Sequence, residues 1–264
     1  MSSQSMFMTI AQTVQYHLSQ APVAGGLGYL AAIYALHRAM ATRKAASIPK
    51  PVMVVYNFVQ VGINLYVALA ISNALQGRVW GLGIPDTPAV RHGVYLHYLC
   101  KYLDMIDTVI IAARKKGEQL SFLHLYHHST IVIVWGWVVN TWPADQSAVY
   151  AYGAWVNSWV HVIMYFYYGL TAMGIRPPFK KWVTVVQLTQ FASCITHAIT
   201  ALFLDTTPVF YNAVQVCYHI QMLKLFLPLL LRTQPAHARG GKGAAALEQK
   251  GAAAACDAHH GKAE

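Results

Sequence analysis

Seven predominantly apolar stretches follow one another along the chain, at 24–41, 52–75, 94–113, 121–140, 147–173, 182–204 and 208–231. Each approaches the ~20 residues that an α-helix needs to cross a bilayer. The first also carries His37 and Arg38 near its end. Before it, the segment from Met6 to Leu18 is mixed in character and suits a position along a membrane surface. From Arg232 onward the chain turns rich in Gly, Ala and Lys, with little to pack, and reads as a flexible tail in which His259 and His260 are solvated. The pattern predicts an all-α membrane protein in three parts: an N-terminal segment 1–23, a seven-helix domain 24–231 and a tail 232–264.

Composition narrows the class. Hydrophobic residues make up 56% of the 264 and charged residues 11%, about half the charged share of a globular protein. Such a chain cannot cover its apolar surface in water. The net charge of +10 does not point to nucleic acid, because the basic residues sit in short clusters between apolar runs rather than in one stripe. Arg38, Arg43, Lys44 and Lys50 follow the first stretch, and Arg114, Lys115 and Lys116 the third. Arg176, Lys180 and Lys181 follow the fifth, and five more basic residues lie in the tail. The opposite connections hold only Arg78 and Arg91, near Asp86, Asp145 and Asp205. The excess of positive charge predicts a cytoplasmic tail and an N-terminus across the membrane. That requires an odd number of spans, and seven is odd. No Lys or Arg precedes Arg38, so the basic start of a signal peptide is missing. Cys100, Cys194, Cys217 and Cys256 show no CxxC spacing, and neither a disulfide framework nor a zinc site is indicated.

Ionisable groups inside membrane spans are costly and mark candidate sites. In KYLDMIDT, Lys101, Asp104 and Thr108 fall on one helical face with Asp107 beside them. Lys101 and Asp104 are spaced for an internal pair that neutralises both charges, and that alone would explain them. In FLHLYHH, His124, His127 and His128 share one face, and each needs a partner or a wet cavity. Imidazoles there suit nucleophilic or general-base work, or a metal, and the spacing leaves those open. Asn157 and His161 lie one turn apart, with Asn157 placed to bond an imidazole; Tyr165 and Tyr168 follow, and with Tyr167 they also fit an interfacial aromatic belt. Thr184, Gln187 and Gln190 recur at three-residue spacing, which interhelical hydrogen bonding alone would account for. His97, His197 and His219 read as structural, and Lys224 as a snorkelling cation. A single polar pocket open to the cytosol would satisfy the polar faces of all four spans.

Taken together these runs resemble the ELO family of fatty acid elongases. Lys101-Tyr-Leu-Asp104-Met-Ile-Asp107-Thr108 is similar to that family's KxxExxDT, with Asp104 where Glu is usual. His124, His127 and His128 match its HxxHH box. Asn157, His161, Met164, Tyr165, Tyr167 and Tyr168 match NxxxHxxMYxYY, and Thr184, Gln187 and Gln190 match TxxQxxQ. The resemblance runs from about Tyr56 to the last span, and its C-terminal HHGKAE lacks a dilysine retrieval signal. It implies seven transmembrane helices, six of them forming a barrel around an acyl tunnel, in the endoplasmic reticulum. It also implies a condensing enzyme that joins acyl-CoA and malonyl-CoA into 3-ketoacyl-CoA, releasing CoA and carbon dioxide, with no cofactor and no metal. Gln119, Phe122, Leu123 and Tyr126 around the histidines look like the version that accepts polyunsaturated chains.

On that reading His127 is the nucleophile, giving an acyl-imidazole. His161 is its acid/base partner, oriented by Asn157. His124 and His128 polarise carbonyls or hold an enolate oxygen, and Lys101 with the basic clusters attracts CoA phosphates. Lys101, Asp104, Asp107, Gln119, Tyr126, Asn157, Tyr165, Tyr168, Gln187 and Gln190 form the expected substrate-binding set. The expected partners are the two CoA thioesters, the bilayer, and the reductases and dehydratase of an elongation cycle, with a homodimer among the open assemblies. A membrane di-iron desaturase or hydroxylase also uses HxxHH, but needs roughly eight histidines in repeated clusters. A receptor or transporter would show broken helices at mid-membrane, and none is visible here.

Overall fold

The computed structural model describes residues 21–175 and 177–232. Among them it places seven helices: α1 (Ala21–Ala41), α2 (Lys50–Ala74), α3 (Pro88–Ala113), α4 (Phe122–Thr141), α5 (Ala151–Ala172), α6 (Lys180–Leu204) and α7 (Val209–Arg232). A single 3-10 turn, Gly117–Gln119, joins α3 to α4. The segment before Ala21, Arg176, Cys256, His259 and His260 lie outside the described residues.

Two helix starts depart from the apolar pattern. Helix α3 begins at Pro88, earlier than the expected 94, because Thr87 caps it: its Oγ1 accepts from Val90 N at 3.3 Å and Pro88 follows at the first helical position. Arg91 and His92 interrupt the apolar run there without interrupting the helix. Helix α5 begins at Ala151, later than the expected 147, because the preceding residues are held in a connection, Ala148 N donating to Ile84 O at 2.8 Å. Ser121 caps α4, its Oγ accepting from His124 N at 3.3 Å, and so fixes where the histidine-bearing turn starts.

By length and composition, α2, α4, α6 and α7 are apolar enough to cross a membrane. Helix α3 carries Arg91, Lys101, Asp104 and Asp107, and α5 carries Asn157, His161 and several tyrosines, which lowers their hydropathy. Lys101 and Asp104 of α3 and His161 and Tyr165 of α5 are nonetheless turned inward and buried. Helix α2 packs on α5 and α3, α3 on α4, α4 on α7, α7 on α6 and α6 on α5, while α3 also meets α5. Helix α1 lies against α3 and α4. Glycines set that last approach: a Cβ on Gly26 would stand 2.7 Å from Ser129 O, and one on Gly136 would collide with Pro22.

At the end remote from the basic clusters, three connections are tied together by Asp205. Its carboxylate accepts from Gly83 N at 3.0 Å, from Ser147 Oγ at 2.7 Å, and from Thr207 N and Oγ1 at 3.0 and 2.6 Å. Burial alone would raise its pKa, but the bonds from Thr207, Gly83 and Ser147 outweigh it and hold the carboxyl below the usual aspartate range. Nearby, Asp86 pairs with Arg91 at 2.6 Å and accepts from Tyr150 OH at 2.9 Å. For this carboxyl burial prevails over both partners and pushes the pKa up.

Candidate active site

Lys101 and Asp104 of α3 form the buried pair that their spacing allowed, Nζ to Oδ2 at 2.9 Å. Lys101 Nζ also donates to Asn157 Oδ1 on α5 at 2.9 Å, and Asn157 Nδ2 donates to Gln190 Oε1 on α6 at 3.3 Å. One hydrogen-bonded line thus crosses three helices. Lys101 is fully buried by these contacts, so in this structure its ammonium does not face the phosphates of a cytosolic ligand.

On the other side of Asp104, Tyr165 OH stands 3.1 Å from Oδ1 and 2.7 Å from Asp107 Oδ2. Gln60 of α2 donates toward both, to Asp104 Oδ1 at 3.4 Å and to Tyr165 OH at 3.3 Å. His161 Nδ1 lies 3.4 Å from Asp104 Oδ2, close but out of line for a hydrogen bond. Asn157, expected to orient His161, is instead committed to Lys101 and Gln190, and the group beside His161 is Asp104. The reason is chemical: a buried ammonium needs acceptors more urgently than a neutral imidazole does.

The three α4 histidines share a face but not an environment. His124 Nε2 bonds Thr108 Oγ1 at 2.7 Å, and Thr108 in turn bonds Tyr29 OH at 2.9 Å, which ties α4 to α3 and α1. His128 is buried, its ring 4.3 Å from that of His124 and 6.3 Å from Tyr29, and its Nδ1 has no partner. His127 faces α7, with Nδ1 3.5 Å from Tyr218 OH.

His127, Asn157 and Gln190 open onto one cavity, with about 760 Å³ of empty space counting its open ends. From His127 it follows α4 past Ile131, Trp135 and Val138 to Trp142, where Tyr150 and Tyr211 also line it. At 1.5 Å per helical residue that path is roughly 22 Å long. Its far end is held by the ties around Asp205 and Asp86: Trp142 Nε1 donates to Ser147 O at 3.1 Å, and Tyr150 OH to Asp86. His124 and His128 do not line this cavity.

The remaining expected residues are dispersed. Gln119 is exposed on the 3-10 turn, and Tyr126 stacks on Phe122. Gln187 Nε2 lies 3.5 Å from Met164 Sδ, an α6–α5 contact. Tyr168 is 41% exposed and touches Tyr165 and Tyr167, as a belt residue does, whereas Tyr165 is fully buried. His97 bonds Ser158, His197 bonds Trp80 O and His219 bonds Gln215 O, as structural histidines do, although His219 also lines the cavity. Among the described residues no three His, Cys, Asp or Glu converge as metal donors. Sequence reasoning missed Gln60 and Tyr218. The stripe Asn57, Gln60 and Asn64 in the second span was the signal for Gln60, since polar residues there recur on one face. Tyr218 gave none.

A helical membrane protein with a buried polar cluster beside a long cavity lined mostly by apolar and aromatic residues is the class that this arrangement defines. Residues 14–235 match the model of ELO, the GNS1/SUR4 family. The chain is 40% identical to a fatty acid elongase 5 from Leishmania major over 202 residues, which is 76% of this chain and 80% of the relative. It is 38% identical to a fatty acid elongase 4 from Trypanosoma brucei brucei over 229 residues, 86% of this chain and 87% of the relative. To the human very long chain fatty acid elongase 4 it is 33% identical over 207 residues, 72% of this chain and 65% of that protein. The chain belongs to the ELO family, and it is a multi-pass membrane protein.

Proposed function

We propose that this protein is the condensing enzyme of a fatty acid elongation cycle, converting acyl-CoA and malonyl-CoA to 3-ketoacyl-CoA, CoA and carbon dioxide. One observation carries the reading: the cavity starts at His127, beside the Lys101–Asn157–Gln190 line, and ends on aromatic rings remote from the basic clusters. Such a shape suits an acyl chain lying along the helices with its thioester at His127. The order of helix neighbours supports seven spans with α2 to α7 around the tunnel and α1 outside. The charge of the connections supports a cytoplasmic tail, and the family supports the endoplasmic reticulum membrane.

In the mechanism, His127 attacks the thioester carbonyl. An N–C bond forms, the C–S bond breaks, and the ring proton leaves with sulfur as CoA thiol. Malonyl-CoA then loses carbon dioxide, and the enolate carbon attacks the acyl group and returns the electron pair to the ring. His161 is the acid/base partner of His127. His124, locked to Thr108 and Tyr29, positions the α4 turn, His128 packs behind His127, and Gln190 flanks the reacting groups. A polyunsaturated acyl chain is the preferred substrate, a choice supported by the Gln119-to-His128 run and not by any contact of Gln119 or Tyr126 with the cavity. The reductases and dehydratase of the cycle are the expected neighbours, and a homodimer is one assembly open to this chain.

Expression in a host that lacks polyunsaturated elongation, fed saturated and polyunsaturated acids of graded length, tests the reading. Products one round longer are expected from the polyunsaturated acids first. A His127→Ala variant that made product at the normal rate would remove the nucleophile, and the absence of elongation from every acid would remove the activity.

A further inference from the structure

Condensation consumes a proton. The malonyl carboxylate departs as neutral carbon dioxide, and the CoA released from the acyl chain leaves as a neutral thiol. One proton must therefore enter for each turnover. In the acyl-histidine scheme above the first half is balanced internally, because the imidazole's own proton goes to the sulfur. The demand falls in the second half, when the broken N–C bond leaves its electron pair on the ring. Bulk water is a poor source here, since His161 and Asp104 are buried.

We propose that Asp107, Tyr165 and Asp104 form a relay that carries this proton from the basic end of α3 to His161. The three are hydrogen-bonded in order, Asp107 Oδ2 to Tyr165 OH at 2.7 Å and Tyr165 OH to Asp104 Oδ1 at 3.1 Å, and His161 Nδ1 stands 3.4 Å from Asp104 Oδ2. Asp107 is half-buried where Asp104 and Tyr165 are buried. By helical rise it lies roughly 9 Å from the end of α3 at Ala113, and Asp104 roughly 4.5 Å deeper. The relay steps inward from one to the other.

Counting protons shows that the relay is loaded at rest. A phenol has one proton, and an ionised carboxylate has none to give. Tyr165 OH can therefore donate to only one of its two carboxylate neighbours, and the other contact needs a carboxyl proton. Asp104 has the Lys101 ammonium against its Oδ2 at 2.9 Å. Asp107 has no ion-pair partner among the described residues. The groups facing it are Asp104 from α3 itself, Tyr56 from α2, Tyr165 and Tyr168 from α5, and Tyr29 from α1, none of them a cation. The extra proton therefore belongs to Asp107. It passes to Tyr165 oxygen as the phenol proton passes to Asp104 Oδ1, and a turn of the protonated carboxyl with a small turn of the imidazole hands that proton to His161 Nδ1. Asp107 is then reloaded from the basic end.

The inference rests on the acyl-histidine reading for where the proton is needed, but not for the need itself. The test uses the full-length protein in detergent or nanodiscs, with Asp107→Asn, Asp107→Glu and Tyr165→Phe beside the wild type. Acyl-CoA alone measures the first half as a burst of CoA, and acyl-CoA with malonyl-CoA measures turnover. Asp107→Asn and Tyr165→Phe are expected to keep the burst and lose about 10²- to 10⁴-fold in turnover. Turnover of Asp107→Asn should recover as pH falls, and Asp107→Glu, which keeps the acid, should restore most of the rate at neutral pH. Normal turnover in Asp107→Asn, or loss of burst and turnover together in a folded variant, overturns the relay. If Asp107→Asn does not fold, Tyr165→Phe carries the same comparison. A wild type with no burst at all would instead overturn the acyl-histidine step, and the relay is then judged on turnover and its pH dependence.

Discussion

Lys101 and Asp104 face each other at 2.9 Å with side chains only 1% and 2% exposed, so that one full ion pair sits among packed helices. The pair is not isolated, because Asn157 takes a second ammonium proton and Tyr165 and Gln60 reach the second carboxylate oxygen. Its polar valences are nearly saturated, which is the condition for a buried pair to be tolerated.

Breaking this pair from one side leaves a bare charge. Lys101→Met is expected to destabilise the protein by about 3–5 kcal/mol, read as a loss of detergent-stable protein and a lower unfolding temperature. Lys101→Met combined with Asp104→Leu should regain most of that stability and remain inactive. Equal stability in the single and double variants would mean that the pair is not coupled.

The far end of the cavity is predicted to limit the acyl chain. Tyr211 stacks on Trp137 at 4.7 Å and donates to Thr141 O at 2.6 Å, and so closes the space beside Trp142. Tyr211→Ala should move the product spectrum to chains at least one round longer, while shorter substrates keep their rate, as gas chromatography of cellular lipids would show. An unchanged spectrum would place the stop elsewhere.

Asp205 gives a pH signature. Its folded pKa lies below the unfolded value of about 3.9, so its stabilisation is present above that value and is lost as pH falls through the folded pKa. Asp205→Asn should therefore melt below the wild type at neutral pH, and the gap should close in acid below about pH 4. A gap that stays constant down to that pH would show that the bonds from Gly83, Ser147 and Thr207 do not depend on the charge.

Much of the site was legible because membrane burial makes each polar residue conspicuous. Lys101, Asp104, His127, Asn157, His161 and Gln190 announced themselves by their cost in lipid, and the structure places all six around Asp104 or along the cavity. Helix limits followed the apolar runs except where a cap overrode hydropathy, as Thr87 did for α3, or a tied connection did, as at Ala148 before α5. Less legible was which polar group answers which. His124 and His127 are three residues apart on one face, yet one bonds Thr108 and the other approaches Tyr218, because different helices stand opposite them.

The sequence by itself determined the helices, the polar positions on each and the asymmetry of charge between their ends, since periodicity, hydropathy and the positive-inside rule are properties of a chain read locally. Only the tertiary structure decided that Asn157 serves Lys101 rather than His161, that Gln60 joins Asp104, and that the cavity begins at His127 and stops at Trp142. Those outcomes depend on which helix faces which across many residues of chain. The hydrogen-bond demand of a buried group is local, but its nearest satisfying partner is not.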